Sequence, residues 1–498
     1  MNFQVKDRAA YQKITDAFKK QRKGSSIADI VSETALPLNI VREIVPLVAD
    51  EYSARLEVTE SGEVLYSFPR GFKSKYRGFK AGLRRFGEKA FKFIKTAGKA
   101  VFKVWIMIML IGYFALFMLI ALGSLLISLV ASTSSSEDRG GEGGRIGGFF
   151  FAGMLLDLII RIWFYSELTK AIDRRYYGRG APPKPPKRPL YKAIFSFIFG
   201  DDDPNGDWLS KEKQAVIAYL QNNRGVISLP EFMILTGKDS HTAESLICQY
   251  CAEFGGLPEA TEDGTIVYRF DDLLLRNDTR DLSYRASALF KKLKDFSSNP
   301  KKMNVGFSII NAVNLLFGSY FLYNSLDVGS ITTTPALESA LQGISYLYGV
   351  TYIVATVIMS NPLPLIMIGL GIIPLVFSIL FWMIPALRFR SLKKDNENTK
   401  LENLRKTGYS RIWTNPLSVK AEDIRAESAE SSPQNMDAAR DKILKEMGSY
   451  AMPDVNIDNA GETVYVFNEL DREKAALRKY RGGIGASSLG RTVFDSDA

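Results

Sequence analysis

The phrase Gly-x-x-x-Tyr-x-Phe occurs three times in the chain, as GEVLYSF at 62–68, GTIVYRF at 264–270 and GETVYVF at 461–467. A shift of 202 residues aligns the first two copies without a gap over residues 11–70, and apolar positions coincide, such as Ile14 with Val216. A shift of 399 residues brings the second half of the first copy onto the third. The repeat indicates one small domain that the chain uses three times.

The residues around the phrase predict three helices followed by a hairpin. Apolar residues recur at intervals of three and four through residues 11–52, which is the period of amphipathic helices. Two short alternating runs follow, Leu56–Val58 and Val64–Phe68, with a polar turn at Gly62 between them. This order is that of a winged helix, a relative of the helix-turn-helix. The third copy needs an insertion in its first half, near residue 418.

Long uncharged runs separate the copies of this domain. Val104–Val130 contains 27 residues without a charge, more than the roughly 20 that a helix needs to cross a bilayer. A second, shorter run, Phe149–Tyr165, is interrupted by Asp157 and Arg161. Three more uncharged runs are Val305–Tyr323, Ala340–Met359 and Leu363–Leu387. We therefore predict an integral membrane protein, mainly α-helical with small β-hairpins. Three winged-helix domains surround a helical transmembrane anchor of about four spans.

Basic flanks predict the sidedness of the anchor. Residues 70–103 contain twelve Lys or Arg and one Glu, and residues 170–192 contain eight Lys or Arg and one Asp. The loop 132–145 has three acids and two bases. Basic flanks stay on the cytoplasmic side, and the charged N-terminus lacks the apolar core of a signal peptide. We expect a bacterial inner (plasma) membrane protein with its winged-helix domains in the cytoplasm.

The second set of apolar runs leaves the topology with one open alternative. Its outer flanks are both basic, which requires an even number of crossings, yet three runs are present. We expect Ala340–Met359, which is rich in Tyr and weakly apolar, to be re-entrant or buried. A full crossing by this run would place the third winged helix on the other side of the membrane.

These features divide the chain into nine predicted segments. They are winged helix one (1–70), a basic amphipathic helix (71–103), a transmembrane hairpin (104–165), a basic Pro-rich linker with an acidic loop (166–209), winged helix two (210–271), a connecting helix (272–302), a transmembrane region (303–388), winged helix three (389–470) and a disordered tail (471–498).

The basic amphipathic helix is expected to lie at the membrane interface. Phe72, Phe79, Phe86 and Phe93 recur every seven residues, and Lys or Arg occupy the other faces. An alternative is that this Phe stripe packs against another protein helix. The side chains expected to contact anionic lipid headgroups are Lys73, Lys75, Arg77, Lys80, Arg84, Arg85, Lys89 and Lys92.

Residues 201–212, DDDPNGDWLSKE, match the spacing of a calcium-binding loop. The oxygen ligands would come from Asp201, Asp203, Asn205 and Glu212. However, Pro204 lies inside the turn, and only one such loop is present where these loops normally pair. The sequence therefore favours an acidic turn that leads into a helix with Ser210 as its N-cap.

Cys248 and Cys251 form a C-x-x-C pair and are the two cysteines of the sequence. A metal or iron–sulfur site requires about four ligands. The repeat aligns Cys248 with Pro46 and Cys251 with Ala49, which favours small packing residues. The alternative is a metal shared between two chains. We expect no metal and no cofactor within one chain.

Two polar pairs occur within the apolar runs. Asp157 and Arg161 lie one helical turn apart in the second run, and they are the best candidates for a functional site inside the membrane. Their charges offset each other at this spacing, so a structural ion pair is slightly favoured. Asn311 and Asn314 are expected to hydrogen-bond between helices.

The sequence does not favour catalysis or DNA binding. It contains no P-loop, dinucleotide fingerprint, Ser-His-Asp set or metalloprotease motif, and it has one histidine. We therefore expect that the protein is not an enzyme. The third helices of the first two winged helices, 36–52 and 238–254, are net acidic. They would repel the phosphate backbone that supplies most DNA affinity.

Three phrases resemble those of a family of uncharacterised membrane proteins from cyanobacteria, other bacteria and chloroplasts. They are ALPLNIVREI (35–44), VTESGEVLYSFP (58–69) and FSFIFGDDDPN (195–205). The resemblance covers most of residues 10–390 and implies repeated winged-helix-like domains. Plant members carry a loose iron–sulfur cluster biosynthesis label, which two cysteines do not support. The resemblance supplies no catalytic residue.

The expected function is a membrane scaffold or adaptor that binds other proteins, or a second copy of itself, through its winged-helix domains. One alternative is a small transport or channel-like protein in which Asp157 and Arg161 line a polar path and the domains act as gates. A membrane-tethered DNA-binding regulator is the third hypothesis, and it is disfavoured by the acidic helices.

Overall fold

The computed structural model describes residues 7–21, 24–75, 97–134, 188–277, 289–329, 346–459, 461–485 and 489–496. The chain is mainly helical with small antiparallel sheets. It divides into two compact units. The first comprises the described residues within Met1–Gly87, Asp202–Lys294 and Lys393–Ala498, and the second those within Glu88–Asp201 and Asp295–Leu392.

The first unit contains three groups of helices, each with a small sheet. The first group consists of helices α1 (Arg8–Lys20), α2 (Ile27–Thr34) and α3 (Leu38–Tyr52) and strands β1 (Arg55–Thr59) and β2 (Val64–Ser67). Ser26 caps α2 reciprocally with Asp29, which stabilises two backbone N–H groups at the helix start. The predicted hairpin is present, with Leu56 opposite Tyr66.

The second group adds a strand between its first two helices. It consists of α6 (Trp208–Asn222), β3 (Val226–Ser228), α7 (Leu229–Thr236), α8 (Ser240–Phe254), β4 (Leu257–Ala260) and β5 (Ile266–Arg269). The strand order is β3-β5-β4, and all pairs are antiparallel. In the first group, an isolated bridge between Ser25 and Tyr66 occupies the place of β3. The two groups therefore repeat one topology.

The third group begins inside a long helix. It consists of the C-terminal part of α11 (Ile373–Thr414), β6 (Val419–Lys420), a 3₁₀ turn (Ala421–Asp423), α12 (Met436–Tyr450), β7 (Asp454–Ile457) and β8 (Thr463–Val466). The strand order is β6-β8-β7. The 3₁₀ turn stands where the second group has α7, which agrees with the irregular first half of this copy in the sequence alignment.

The predicted disordered tail (471–498) is wrong where the structure describes it. Helix α13 (Asn468–Gly483) buries Leu470, Ala476 and Leu477, and strand β9 (Thr492–Asp495) pairs antiparallel with β1. The many charges of this region conceal an amphipathic helix, in which most charges are exposed while Glu473 is buried and Arg481 is half-buried within the first unit.

One hydrophobic core joins the three groups. Ile14 of α1, Phe232 of α7 and Ile443 of α12 are each fully buried members of the same cluster. A domain of about 60 residues buries only a thin core by itself. The groups therefore stabilise one another by removing apolar surface that none could bury alone.

The second unit contains most of the apolar sequence. Among the described residues, three helices are long and apolar enough to cross a membrane: Ala97–Ile127, Lys301–Gly329 (α9) and Leu365–Thr414, which contains α11. The first includes a π-helical turn, Ile108–Gly112, before α4 (Tyr113–Ser134). The short helix α5 (Leu190–Phe199) is also apolar. The apolar run predicted at 149–165 lies outside the described residues.

Helix α10 (Tyr346–Thr356) lies in the run predicted to be re-entrant or buried. Its 11 residues rise about 16 Å, well short of the roughly 30 Å hydrocarbon core. The described part of this run is therefore too short to cross a bilayer as a helix. A re-entrant or buried segment stays the prediction for the run as a whole.

The helices of the second unit approach closely at glycines and hydrogen-bond through asparagines. A Cβ on Gly318 would lie 3.1 Å from the Leu375 backbone nitrogen. The Asn311 amide donates to the Ser378 carbonyl (3.0 Å), and the Asn314 amide donates to the Leu110 carbonyl (2.8 Å). The prediction that these asparagines bond between helices is confirmed, and both side chains are fully buried.

Two glycines with positive φ differ in how much space surrounds them. Alanine substitutions at these glycines therefore test how tightly α7 and α11 are packed. Gly237 ends α7 with φ +69°, and an added Cβ would lie 2.6 Å from the Glu402 carbonyl oxygen. Gly264 has φ +80° and open space around it. We expect Gly264→Ala to lower the free energy of unfolding by about 1 kcal/mol from the backbone term alone, and Gly237→Ala by about 3 kcal/mol or more.

The measurement is denaturation of the full-length chain in detergent. Equal losses for the two alanine variants would contradict the close approach of α11 to the end of α7.

Candidate functional site

An extended segment, residues 289–294, is held by polar side chains of the first unit, and we call it the strap. Three asparagines each donate one hydrogen bond to the backbone of a strap residue and accept one from it. Asn403 binds Lys291 (3.0 and 2.9 Å), Asn205 binds Lys292 (3.0 and 2.7 Å), and Asn396 binds Lys294 (both 2.9 Å). An amide side chain complements a peptide group in both directions, so these contacts recognise backbone rather than side chains.

Charged groups reinforce the strap. The Lys406 ammonium group, which is almost fully buried, donates to the Leu289 carbonyl (2.7 Å). Lys291 pairs with Glu402 (2.6 Å). Both ammonium groups lie over the Trp208 ring, at 4.6 Å for Lys406 and 5.3 Å for Lys291. The strap thus has a fixed conformation at the point where the chain leaves the first unit.

The strap corrects the connecting helix predicted for 272–302. Residues 289–295 have no helix, because asparagine side chains take the backbone groups that a helix would pair internally. Asn396 and Asn403 are seven residues apart and share one face of α11. This spacing of two asparagines is a sequence signal for the site, and the apolar pattern of the chain does not reveal it.

The structure assigns each proposed calcium ligand to another partner. Asp201 accepts from Ser298 and Ser196 and pairs with Arg188 (2.8 Å). Partial burial acts to raise the pKa of Asp201, but these hydrogen bonds outweigh it and lower the pKa to about 2. Its carboxylate is therefore ionised and already satisfied by protein groups.

The remaining members of the loop are also engaged. Asp203 pairs with Lys294 (2.8 Å), Asn205 binds the strap, and Glu212 accepts from the Trp208 indole (2.9 Å). Within the described ranges, no group of three or more His, Cys, Asp or Glu is placed to hold a metal. Helix α6 begins at Trp208, so Ser210 lies inside the helix and the predicted N-cap is wrong.

The two cysteines of α8 differ in burial, and only Cys251 packs against the core. Cys248 is exposed and Cys251 is half-buried. Burial, with a smaller contribution from Cys248, raises the pKa of Cys251 to about 11. A thiol with this pKa stays protonated at neutral pH and is a poor metal ligand.

Most of the predicted membrane-facing residues lie outside the described residues. These are Asp157, Arg161, Arg77, Lys80, Arg84, Arg85, Lys89 and Lys92. Of the described ones, Lys75 pairs with Asp50 (3.4 Å) and Lys73 is exposed. Phe72 stacks on Phe68 at 4.7 Å. The start of the Phe stripe therefore contacts the first group, and its remaining contacts stay a prediction.

The third helices of the three groups are packed together. Helix α8 contacts both α3 and α12. The Ser240 and Ser449 hydroxyls are 3.3 Å apart, and Arg42 of α3 pairs with Asp272 next to β5 (3.1 Å). One face of α8 is therefore used inside the first unit, where Ala243, Ile247 and Tyr250 are buried.

The hairpins, by contrast, expose apolar side chains. Val455 and Ile457 of β7 are 60% and 77% exposed, and the neighbouring Met452 is 82% exposed. In the second hairpin, Leu257 and Ile266 are also exposed. Every residue of β7 is exposed, and β8 is its partner among the described strands. These features form an apolar edge on the third hairpin.

Helix α13 is held to the second and third groups by buried ionisable groups. Arg481 forms a two-pronged pair with Glu231 (2.6 and 2.9 Å), whose carboxylate also accepts from the Ser228 backbone N–H. The Tyr450 hydroxyl donates to the Glu473 carboxylate (3.2 and 3.1 Å). Burial is the main reason that the pKa of Glu473 rises to about 7, and the charge of Glu231 adds to it.

The chain is similar to an uncharacterised chloroplastic protein of Arabidopsis thaliana. The two are 23% identical over 416 residues, which is 78% of this chain and 70% of the plant protein. This relative agrees with the chloroplast part of the resemblance noted in the sequence. No protein-family model and no solved structure matches the chain.

Loss of one asparagine should loosen the strap. Asn403→Ala leaves the N–H and carbonyl of Lys291 without partners, at a cost of about 1–3 kcal/mol. We expect trypsin to cut after Lys291 and Lys292 about tenfold faster in this variant, measured by mass spectrometry under native conditions.

Asn415→Ala is the matched control, because Asn415 is exposed on the same polar part of the chain and bonds only weakly to Ser418 (3.4 Å). Equal cleavage rates in Asn403→Ala and the control would show that the asparagine contacts do not hold the strap.

The free energy of unfolding should depend on pH through Glu473. The pKa is about 7 in the folded chain against an ordinary value of 4.5, so the folded chain retains a proton that the unfolded chain releases. Stability therefore falls between about pH 4.5 and pH 7, by on the order of 3 kcal/mol, and this contribution is constant above pH 7. Denaturant titrations from pH 5 to pH 8 measure the slope.

Glu473→Gln should remove this part of the slope, whereas Glu469→Gln on the exposed side of α13 should keep it. An unchanged slope in Glu473→Gln would assign the pH dependence to other groups.

Proposed function

We propose that the chain is a membrane-anchored scaffold in which three winged-helix domains form one protein-binding unit. The order α6-β3-α7-α8-β4-β5, with sheet order β3-β5-β4, supports the winged-helix assignment for the second group. The third group repeats the sheet order, and the first group replaces its first strand with the Ser25–Tyr66 bridge. The single observation that carries the proposal is the packing of α8 against α3 and α12.

This packing argues against DNA binding. A winged helix reads DNA by inserting its third helix into the major groove, with Lys and Arg on the phosphates. Here the third helices contact one another, and α3 and α8 are net acidic by sequence. The hairpins are the surfaces that the proposal assigns to a partner. Exposed apolar residues on a hairpin edge suit contact with another protein.

The three long apolar helices support the membrane anchor. Basic residues flank the first of these helices at Lys99 and Lys103 and the last at Arg388 and Arg390. Because positively charged flanks stay on the cytoplasmic side, they support a cytoplasmic location for the winged-helix domains. The bacterial inner membrane stays the prediction from sequence. The chloroplastic relative makes a plastid membrane its alternative.

Transport is the second candidate, and one observation favours it. Within the described second unit, the side-chain oxygens of Asn311, Asn314 and Ser378 are buried without a hydrogen-bond partner. Buried polar groups without partners between apolar helices are suited to an ordered water or a polar solute. Ion flux through reconstituted vesicles that is abolished by Asp157→Ala would support this function over the scaffold.

The scaffold is tested at the third hairpin. We expect a photo-crosslinker at position 457, in mild detergent, to join the chain to one discrete protein. Val455→Glu in the same chain should lower the yield at least tenfold, because a carboxylate replaces apolar contact area. Alkaline extraction should leave the chain in the membrane fraction.

Leu209→Glu is the matched control, since Leu209 is 62% exposed at the start of α6, outside the hairpins. Equal crosslinking in Val455→Glu and Leu209→Glu would show that the apolar edge of β7 is not the binding surface.

A further inference from the structure

Strand β9 extends the first hairpin by pairing with the outer edge of β1. Glu57 lies opposite Asp495, and Val58 lies opposite Phe494. Backbone hydrogen bonds continue beyond the strand: the N–H of Ser496 donates to the Leu56 carbonyl (2.9 Å). At the other end, Glu60 and Ser61 donate to the carbonyls of Arg491 (2.9 Å) and Leu489 (3.2 Å). The segment 489–496 is therefore bound along its whole described length.

Two side-chain features make the edge of β1 selective for the sequence of this segment. The Arg55 guanidinium forms a two-pronged pair with Asp495, in which the Nε–Oδ1 distance is 2.8 Å. Gly490 has φ +73°, and a Cβ there would lie 2.5 Å from the Glu60 carboxylate. The edge of β1 thus accepts an extended peptide with a glycine at its start and a carboxylate five residues later.

The apolar contribution to this contact is small. Val493 and Phe494 of β9 are 70% and 59% exposed. The segment is therefore held by backbone hydrogen bonds and one ion pair, which is the binding mode of a peptide added to a sheet edge. Such a contact exchanges more readily than one that buries apolar side chains.

We propose that the outer edge of β1 is a strand-binding site, and that the C-terminal segment of a second copy of this chain takes it in exchange for the chain's own. Every contact of the segment can form again between two copies. The free energy of exchange therefore depends mainly on the entropic advantage of binding within one chain. Gly482 and Gly483 at the end of α13 and Gly485 just after it have open space around them. Glycines at this place let the backbone redirect the segment.

The equivalent edges of the other two hairpins support the selectivity of the site. Among the described strands, β4 pairs with β5 and β7 pairs with β8, and neither carries a further strand. The residue that corresponds to Arg55 by the 202-residue shift is Leu257, which cannot pair with a carboxylate. A segment with an acidic end is therefore expected at β1 and not at β4.

The test uses the full-length chain in detergent and a labelled synthetic peptide of residues 489–498. Asp495→Arg in the chain removes the carboxylate that Arg55 binds and adds a second guanidinium group beside it, which should weaken the hold of β1 on the segment. We expect the peptide to bind this variant at least tenfold more tightly than the wild-type chain. Arg55→Glu with Asp495→Arg restores the ion pair within the chain, and it should again exclude the peptide.

A chain that ends at residue 488 is the second variant, and it should bind the peptide as the Asp495→Arg chain does. Equal peptide binding to wild type and Asp495→Arg, or no binding to either opened chain, would overturn the site.

Exchange between copies is measured with two differently tagged wild-type chains. Co-capture should fall when the free peptide is added in excess, and it should be lost in chains that end at residue 488. Co-capture that persists without the segment, or none at all between wild-type chains, would overturn the exchange.

Discussion

Burial of apolar side chains across three small domains is the constraint on which the first unit depends. Each group alone has a few helices and a narrow sheet, which leaves a thin core. The shared cluster that contains Ile14, Phe232 and Ile443 removes the faces that would otherwise meet water. The third helices contribute one face each to this packing. The hairpins carry exposed apolar residues such as Val455 and Ile457.

Buried charge then decides how the C-terminal region joins this core. Helix α13 could pack its apolar side in several registers, but Arg481 must reach Glu231, since either charge alone would be costly inside the protein. Glu231 in turn caps its own helix through Ser228. The pair therefore anchors the end of α13 on the second group.

The period of the apolar residues and the repeated glycines made the local structure predictable. Gly62, Gly264 and Gly461 all have positive φ at the same place in their hairpins, as the repeated phrase requires. The strap and β9 were not predictable in this way, because their partners are remote: Asn403 is 112 residues from Lys291, and Asp495 is 440 residues from Arg55. Backbone hydrogen bonds between remote segments leave no periodic signal in the sequence.

Helix α11 contains both apolar and charged sequence. Its 42 residues rise about 63 Å, and its sequence changes from apolar to charged after Leu387. The charged part carries Asn396 and Asn403, which bind the strap, and Arg405, which pairs with Glu446 of α12 (2.5 Å). A rotation or shift of this helix along its axis would strain both contacts at once. The charged part of α11 is thus fixed to the strap and to α12 within the first unit.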